Sequence, residues 1–430
     1  MRAGIARIDI TPTESIWMEG MLRAHRSEGV HDPTFAKALV LSNDERLDQA
    51  CAIVTVDACH IPDWLTADVR RKVEQEIGLP ADHTIIAAKH IHSGPDTDGE
   101  GEPEVRYTHS LKEKLFQVVQ KAASNLQPVR AGSASGRENT ISQYRRQLAD
   151  DGHVVMNWEP WPLERLVSVL GVPDPEVGVL RIDDLSGQLL CILFNHAGHP
   201  NVLSGDNYLI SAEYPGHAEK LLEEEFGGLA MFVNGAQGTM DIDGMGPRTW
   251  HEMERLGAKL AAEVAAVVHD IEPHEEATVR CANLKHGLPA RKVSEEQLVW
   301  AEKIIEKTGG TVQPLADGVG DDFKALLLQR LHSVQHQPVT AEHVCIAVDD
   351  TAFFSFPGEL FTEIGMKIKA ASPFARTYII GLANGSIGYV PTRKAIGEGG
   401  YAVDVRKVDA DAEDVILSQS QALLKQVTGS

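Results

Sequence analysis

The sequence has no uninterrupted apolar run near the ~20 residues that a membrane-spanning helix requires, so a polytopic membrane protein is excluded. It has only five cysteines, Cys51, Cys59, Cys191, Cys281 and Cys345, odd in number and scattered mostly through apolar runs. That excludes a disulfide framework and gives no cysteine spacing suited to a metal; it reads as free thiols in a reducing compartment. Positive charge is also short. Lys and Arg number 40 against 62 Asp and Glu, for a net charge of -22, which argues against nucleic acid or an anionic membrane surface as partner, since both select basic patches. Met1–Asp9 lacks the apolar stretch of a secretory signal. The expectation is a cytoplasmic protein with no stable membrane association.

What is present is enough apolar residue, 43% of 430, to bury a large core. Apolar runs read as strands at 3–11, 36–41, 52–56, 84–88, 177–182, 188–194, 230–233, 344–348, 352–356 and 377–382, with a hairpin around Ser186-Gly187. Amphipathic stretches predict helices over 64–77, 105–126, 216–226, 248–268, 294–307 and 323–332, another starting at Glu359, and a last one over 410–427. The alternation gives an α/β fold, with mixed sheets flanked by helices, as one unit over 1–430 and a helical insertion around 285–340. No internal repeat stands out.

Metal-capable side chains recur just after apolar strands. Lys89-His90-Ile91-His92-Ser93-Gly94-Pro95 follows Thr84–Ala88 and places two histidines at i and i+2, on one side of an extended chain. The strand ending at Phe194 delivers Asn195-His196-Ala197-Gly198-His199-Pro200. Glu359 follows Pro357-Gly358, and Tyr389 follows a strand and a glycine-rich turn. Histidines from separate strand ends plus a carboxylate suit a divalent cation such as zinc, with one position left for water. Asp57 also stands at a strand end, where open sheets tend to place functional groups. Other motifs fail. His251-Glu252 lacks the second histidine of H-E-x-x-H, Gly132–Gly136 has alanine where a nucleophile elbow needs serine, and Gly235–Gly238 is neither a phosphate loop nor a dinucleotide fingerprint.

With these residues in place the sequence resembles the neutral, non-lysosomal ceramidase family of zinc-dependent amide hydrolases. The resemblance runs through Gly4–Pro12, Gly29-Val30-His31-Asp32-Pro33, Asp57, Lys89–Pro95, His199-Pro200 to Gly216, Pro357-Gly358-Glu359, and Tyr389-Val390-Pro391-Thr392 with Tyr401 twelve residues on. It implies zinc held by His90, His199, Glu359 and Tyr389. His92, Arg145 and Tyr401 would line the scissile carbonyl, with Arg146 the alternative register for Arg145. Three positions depart from the family. Lys89 replaces a threonine, and is expected either at the surface or as a contact to a substrate anion. Glu213 stands where aspartate is common, and Gly238–Asp241 differs after the glycine turn. The chain ends where ceramidases continue into an immunoglobulin-like C-terminal domain, so the expected fold is a catalytic domain alone.

The resulting expectation is a zinc-dependent hydrolase that cleaves the N-acyl amide bond of a small soluble substrate by an activated water. A homo-oligomer is compatible with this. The alternatives are a true ceramidase, a zinc-dependent esterase or lactonase, a lyase, and a non-catalytic binding protein on the same scaffold.

Overall fold

A computed structural model describes residues 1–429. The longer strands form an eight-stranded and a four-stranded sheet. In chain order the first holds β1 (Arg2–Asp9), β2 (Phe35–Ser42), β3 (Cys51–Val56), β4 (Thr84–Ala88), β5 (Gln127–Arg137), β6 (Glu176–Asp184), β7 (Leu189–His196) and β8 (Leu229–Asn234). The second holds β9 (Val279–Leu288), β10 (Val339–Val348), β11 (Thr351–Ser355) and β12 (Arg376–Ile380). Their spatial orders are β8-β7-β6-β5-β1-β2-β3-β4 and β9-β10-β11-β12. The longer helices are α1 (Asp63–Ile77), α2 (Glu102–Ser124), α3 (Glu213–Phe226), α4 (Trp250–Asp270), α5 (Glu295–Thr308), α6 (Asp321–Val334), α7 (Thr362–Ala370) and α8 (Ala412–Thr428).

The two sheets pack face to face. Leu39, Ile53 and Leu193 of the larger meet Val344, Ile346 and Phe353 of the smaller in one buried cluster. The outer faces are covered by helices, which explains why β3 and β4 are buried at every position and read as continuous apolar runs. α1 buries Leu65, Val69 and Val73, one helical face, against the sheet together with α2. α3 and α4 cover the other half of the sheet, and α7 and α8 cover the smaller sheet.

The pairing contains an internal triplication that the sequence conceals. β1-β2-β3 is an antiparallel meander, and β3 then pairs in parallel with β4 across α1. β5-β6-β7 with β8 across α3 repeats this arrangement, and β9-β10-β11 with β12 across α7 repeats it again. The closing helices α2, α4 and α8 each lie on the first two strands of their own unit. The expectation of no repeat is therefore overturned. The units share little sequence beyond an apolar strand followed by a polar, glycine-containing turn, as in Thr84–Gly94, Leu229–Gly238 and Arg376–Gly385.

This topology fixes where polar groups gather. In an antiparallel meander the first and third strands run the same way, so the connection leaving the first strand lies at the end where the parallel pair terminates. In each unit that connection is the long one, at residues 10–34, 138–175 and 289–338, whereas residues 43–50, 185–188 and 349–350 make the short connections at the far end. α5 and α6 lie within the third long connection. No helix among the described residues is long and apolar enough to cross a membrane.

Candidate metal centre

β4 ends at Ala88, and the chain then leaves the extended conformation, with His90 at φ 70. The same-side argument from strand alternation therefore does not hold. The two imidazoles converge through this left-handed step, with their Nε2 atoms 3.3 Å apart. A positive φ on a histidine is uncommon; here the His90 backbone N–H donates to the Ala58 carbonyl at 3.0 Å and that of His92 to the Pro200 carbonyl at 2.8 Å. The second link stitches the end of the first parallel pair to the turn after β7. That turn places His199 in a buried position. Glu359 opens a two-residue parallel ladder in which it is paired with Tyr389, so those two are held side by side. A strand here replaces the expected helix start at Glu359; the helix, α7, begins at Thr362.

The structure brings the four candidate residues His90, His199, Glu359 and Tyr389 together. One carboxylate oxygen of Glu359, Oε2, lies 3.3 Å from His90 Nε2 and 3.2 Å from His199 Nε2. The Tyr389 hydroxyl is 3.3 Å from His199 Nε2. The outward nitrogens are occupied, since His90 Nδ1–H donates to the Cys59 carbonyl at 2.9 Å and His199 Nδ1–H to the Met240 carbonyl at 2.6 Å. Both rings are thereby fixed in the tautomer that leaves Nε2 as a lone pair. Two nitrogen lone pairs then face one buried carboxylate oxygen, and Glu359 Oε2 has no hydrogen-bond donor of its own. Acceptors facing acceptors repel unless a cation lies among them, so the donor set fits a divalent metal.

Arg145 and Tyr401 lie beside these four residues. Arg145 is buried, donating through Nη2 to the Gly238 carbonyl at 2.8 Å, with Nη1 3.3 Å from His199 Nε2 and 3.4 Å from Asp241 Oδ2. Arg146 points away, to Glu398 at 3.0 Å and the Gly399 carbonyl at 3.0 Å. The Tyr401 ring lies edge-on to Tyr389, with centroids 5.8 Å apart. Burial is the largest influence throughout. It pulls His92 and His199 down as bases, helped by the neighbouring imidazoles and, at His199, by Arg145. Burial alone would raise the Glu359 carboxyl; positive charge at the His90 and His199 positions is what holds it well below the usual range, the part a cation among these lone pairs would play. Burial pushes the Tyr401 phenol up to about 12 and Tyr389 well above its ordinary value. Tyr401 is therefore a protonated donor at neutral pH.

Other sequence candidates lie elsewhere. His196 is buried apart from the centre, its Nδ1 donating to the Glu176 carbonyl at 3.3 Å. Lys89 is neither a surface residue nor a free cation. It is 1% exposed, and its Nζ lies 2.7 Å from Asp57 and 2.6 Å from Glu219. Asp57 at its strand end is thus absorbed by Lys89 and by the Phe35 N–H at 2.6 Å. Glu213 is fully buried at φ 55, and its carboxylate accepts from Ser93 at 3.0 Å and from the N–H groups of Val202 and Leu203 at 3.2 and 3.3 Å.

Several neighbours carried no signal in the sequence. Cys59 Sγ is 3.5 Å from His90 Nδ1. Trp158 stacks edge-on against Tyr401 at 5.5 Å and lies 5.2 Å from the Arg145 guanidinium. Gly20 sits so close to His92 that a Cβ there would lie 2.5 Å from the ring. Asp241 alone carries one, as a departure from the family pattern in the turn after Gly238.

The geometry defines an α/β protein with a buried histidine–carboxylate–phenol centre, and its fold is ceramidase-like. Two solved structures carry that likeness. A ceramidase complexed with C2 superposes with a TM-score of 0.76 at 16% identity, covering 100% of this chain and 75% of that one. The neutral ceramidase of Pseudomonas aeruginosa gives a TM-score of 0.72 at 16% identity, covering 99% and 75%. Neutral ceramidase A of Dictyostelium discoideum is 23% identical over 230 residues, 51% of this chain but only 29% of that relative's length. No family model matches the sequence.

Proposed function

We propose that the protein is a zinc-dependent hydrolase of a linear amide, acting on the N-acyl bond of a small polar molecule. The observation that carries this is the convergence of His90 Nε2 and His199 Nε2 on a single oxygen of Glu359, with the Tyr389 hydroxyl beside them. Zinc, when bound by these four, supplies a Lewis acid that polarises a carbonyl and brings water near neutrality in acidity. The chain's own residues do the rest. Arg145, held by Gly238 and Asp241, presents fixed positive charge, and Tyr401 presents an O–H, so both can stabilise negative charge growing on the carbonyl oxygen. His92, whose Nε2 lies 3.3 Å from that of His90, is the remaining imidazole at the centre, and it would carry a proton to the leaving amine. Five free thiols, four of them buried, agree with a reducing, cytoplasmic setting.

The test pairs metal analysis of the purified protein with an assay of N-acyl amides against matching esters, before and after chelation and zinc restoration. Stoichiometric zinc with zinc-restored amide cleavage is expected. Preference for the esters would make it an esterase. Cleavage confined to long-chain ceramides would replace the small substrate by a lipid. No turnover of any acyl compound by the zinc-loaded protein would defeat the reading.

A further inference from the structure

The three long connections leave the same end of the three repeated units, and two of them already wall the centre. Residues 10–34 set Gly20 against the His92 ring, and Arg23 Nη2 donates to the His92 carbonyl at 2.7 Å. Residues 138–175 supply Arg145 and Trp158. The third, residues 289–338, carries α5 and α6, and the loop between them, 309–320, reaches to the other two walls and to the histidine turn. The Leu315 N–H donates to the Leu22 carbonyl at 2.9 Å, two residues from Gly20. The Gly205 N–H donates to the Ala316 carbonyl at 2.9 Å. Asp317 lies 3.3 Å from Arg248, whose other nitrogen donates to the Asn201 carbonyl at 2.9 Å, two residues from His199. Gly318 faces the Trp158 indole N–H, with a Cβ there lying 3.5 Å from Nε1.

We propose that this loop is the third wall of the substrate pocket and that it sets acyl-chain length, admitting short acyl groups and excluding long alkyl chains. The loop ties the Gly20 segment and the turn after His199 into one rim by backbone hydrogen bonds and an ion pair, and it lies against Trp158, so a long chain leaving on that side must break them. Its tip is short and mixed in character, Pro314-Leu315-Ala316-Asp317-Gly318, rather than an apolar trough in which an alkyl chain could lie. The inference rests on the reading of the centre as a zinc hydrolase site and names the substrate feature that site would select.

Binding of hydroxamates, which chelate zinc through an acyl-like head, reads the wall without turnover. Calorimetry of the zinc-loaded protein with acetohydroxamic and dodecanohydroxamic acid is compared with a variant in which residues 312–318 are replaced by Gly-Gly. Equal acetohydroxamate affinity in the two, with dodecanohydroxamate bound at least tenfold tighter by the variant, is the expected result. An unchanged chain-length dependence overturns the wall while leaving the centre intact. Failure of acetohydroxamate to bind either protein would bring down the zinc centre and the wall together. Should the shortened variant not fold, Leu315→Gly/Asp317→Ala in the full chain, which removes the side chain at the tip and the ion pair to Arg248, gives the same reading. Dodecanohydroxamate should again bind at least tenfold tighter than to the wild type at equal acetohydroxamate affinity, and an unchanged ratio of the two affinities overturns the proposal.

Discussion

Lys89 Nζ lies 2.7 Å from Asp57 Oδ1, and both side chains are almost wholly buried directly beneath the histidine turn. They end a chain of alternating charge that runs Arg7–Glu223 at 2.9 Å, Glu223–Lys37 at 2.6 Å, Lys37–Glu219 at 2.8 Å and Glu219–Lys89 at 2.6 Å. Cations and carboxylates balance along it, so removal of any one leaves a buried charge without its counterpart. Lys89→Met should destabilise the protein by on the order of 3–5 kcal/mol, the cost of breaking a buried pair from one side. Adding Asp57→Asn should recover part of that loss, because the deficit of positive charge is removed. Urea denaturation of the single and double variants measures both. A single variant as stable as the wild type would mean that the chain of pairs does not hold the turn.

Glu213 links the two histidine segments, through Ser93 beside His92 and through Val202 and Leu203 beyond His199. Burial, only partly offset by the hydrogen bond from Ser93 and those from the backbone, pushes its carboxyl from 4.5 up to about 7. The folded protein therefore keeps a proton that the unfolded chain releases near 4.5. Unfolding releases that proton between the two values, so the stabilisation is complete below about pH 4.5 and is lost as pH rises through about 7, on the order of 3 kcal/mol in all. Glu213→Gln should flatten this dependence. Denaturation midpoints of both proteins from pH 5 to 9 test it, and parallel profiles would assign the pH dependence to another group.

The elements were legible because burial on both faces gives continuous apolar runs, as in β3 and β4, and one-sided burial gives helical spacing, as at Leu65, Val69 and Val73. The candidate metal-site residues were legible because histidine, carboxylate and tyrosine each follow such a run. What stayed hidden depends on pairing between distant segments. The partners of Lys89 sit on another strand end and on α3, and nothing near Lys89 in sequence distinguishes a buried ion pair from an exposed cation. The triplication lives in ladder registers, which tolerate almost any apolar sequence. Glu359 reads as a helix start because Phe361–Ala370 is helical in pattern; its two-residue ladder with Tyr389 is made by a segment thirty residues away. Trp158 meets Tyr401 only through the fold.

His90→Ala and His199→Ala should each abolish stoichiometric zinc, since each removes one of two nitrogens aimed at the same carboxylate oxygen. His196→Ala is the matched control. It removes an equally buried imidazole whose Nδ1 is bound to the Glu176 carbonyl, outside the centre, and it should keep its metal. Elemental analysis after exhaustive dialysis separates the three variants. Zinc lost from His196→Ala and retained in His199→Ala would reassign the second histidine ligand.

Tyr401→Phe separates holding the metal from using it. The phenol is not among the groups that converge on Glu359, and its ring is fixed by Trp158 at 5.5 Å and Tyr389 at 5.8 Å, so phenylalanine can occupy the same place. What disappears is an O–H that stays protonated up to about pH 12 and that the proposed mechanism uses as a donor to the developing oxyanion. Losing one such donor typically costs about 100- to 1,000-fold in kcat. KM should change little, because a neutral carbonyl oxygen in the ground state gains less from that donor than the oxyanion does. The expected result is a variant with full zinc content, near-native KM and a kcat lowered by about two to three orders of magnitude. Loss of zinc from this variant would instead make Tyr401 a support for Tyr389. An unchanged kcat would move the oxyanion donor to Arg145 alone.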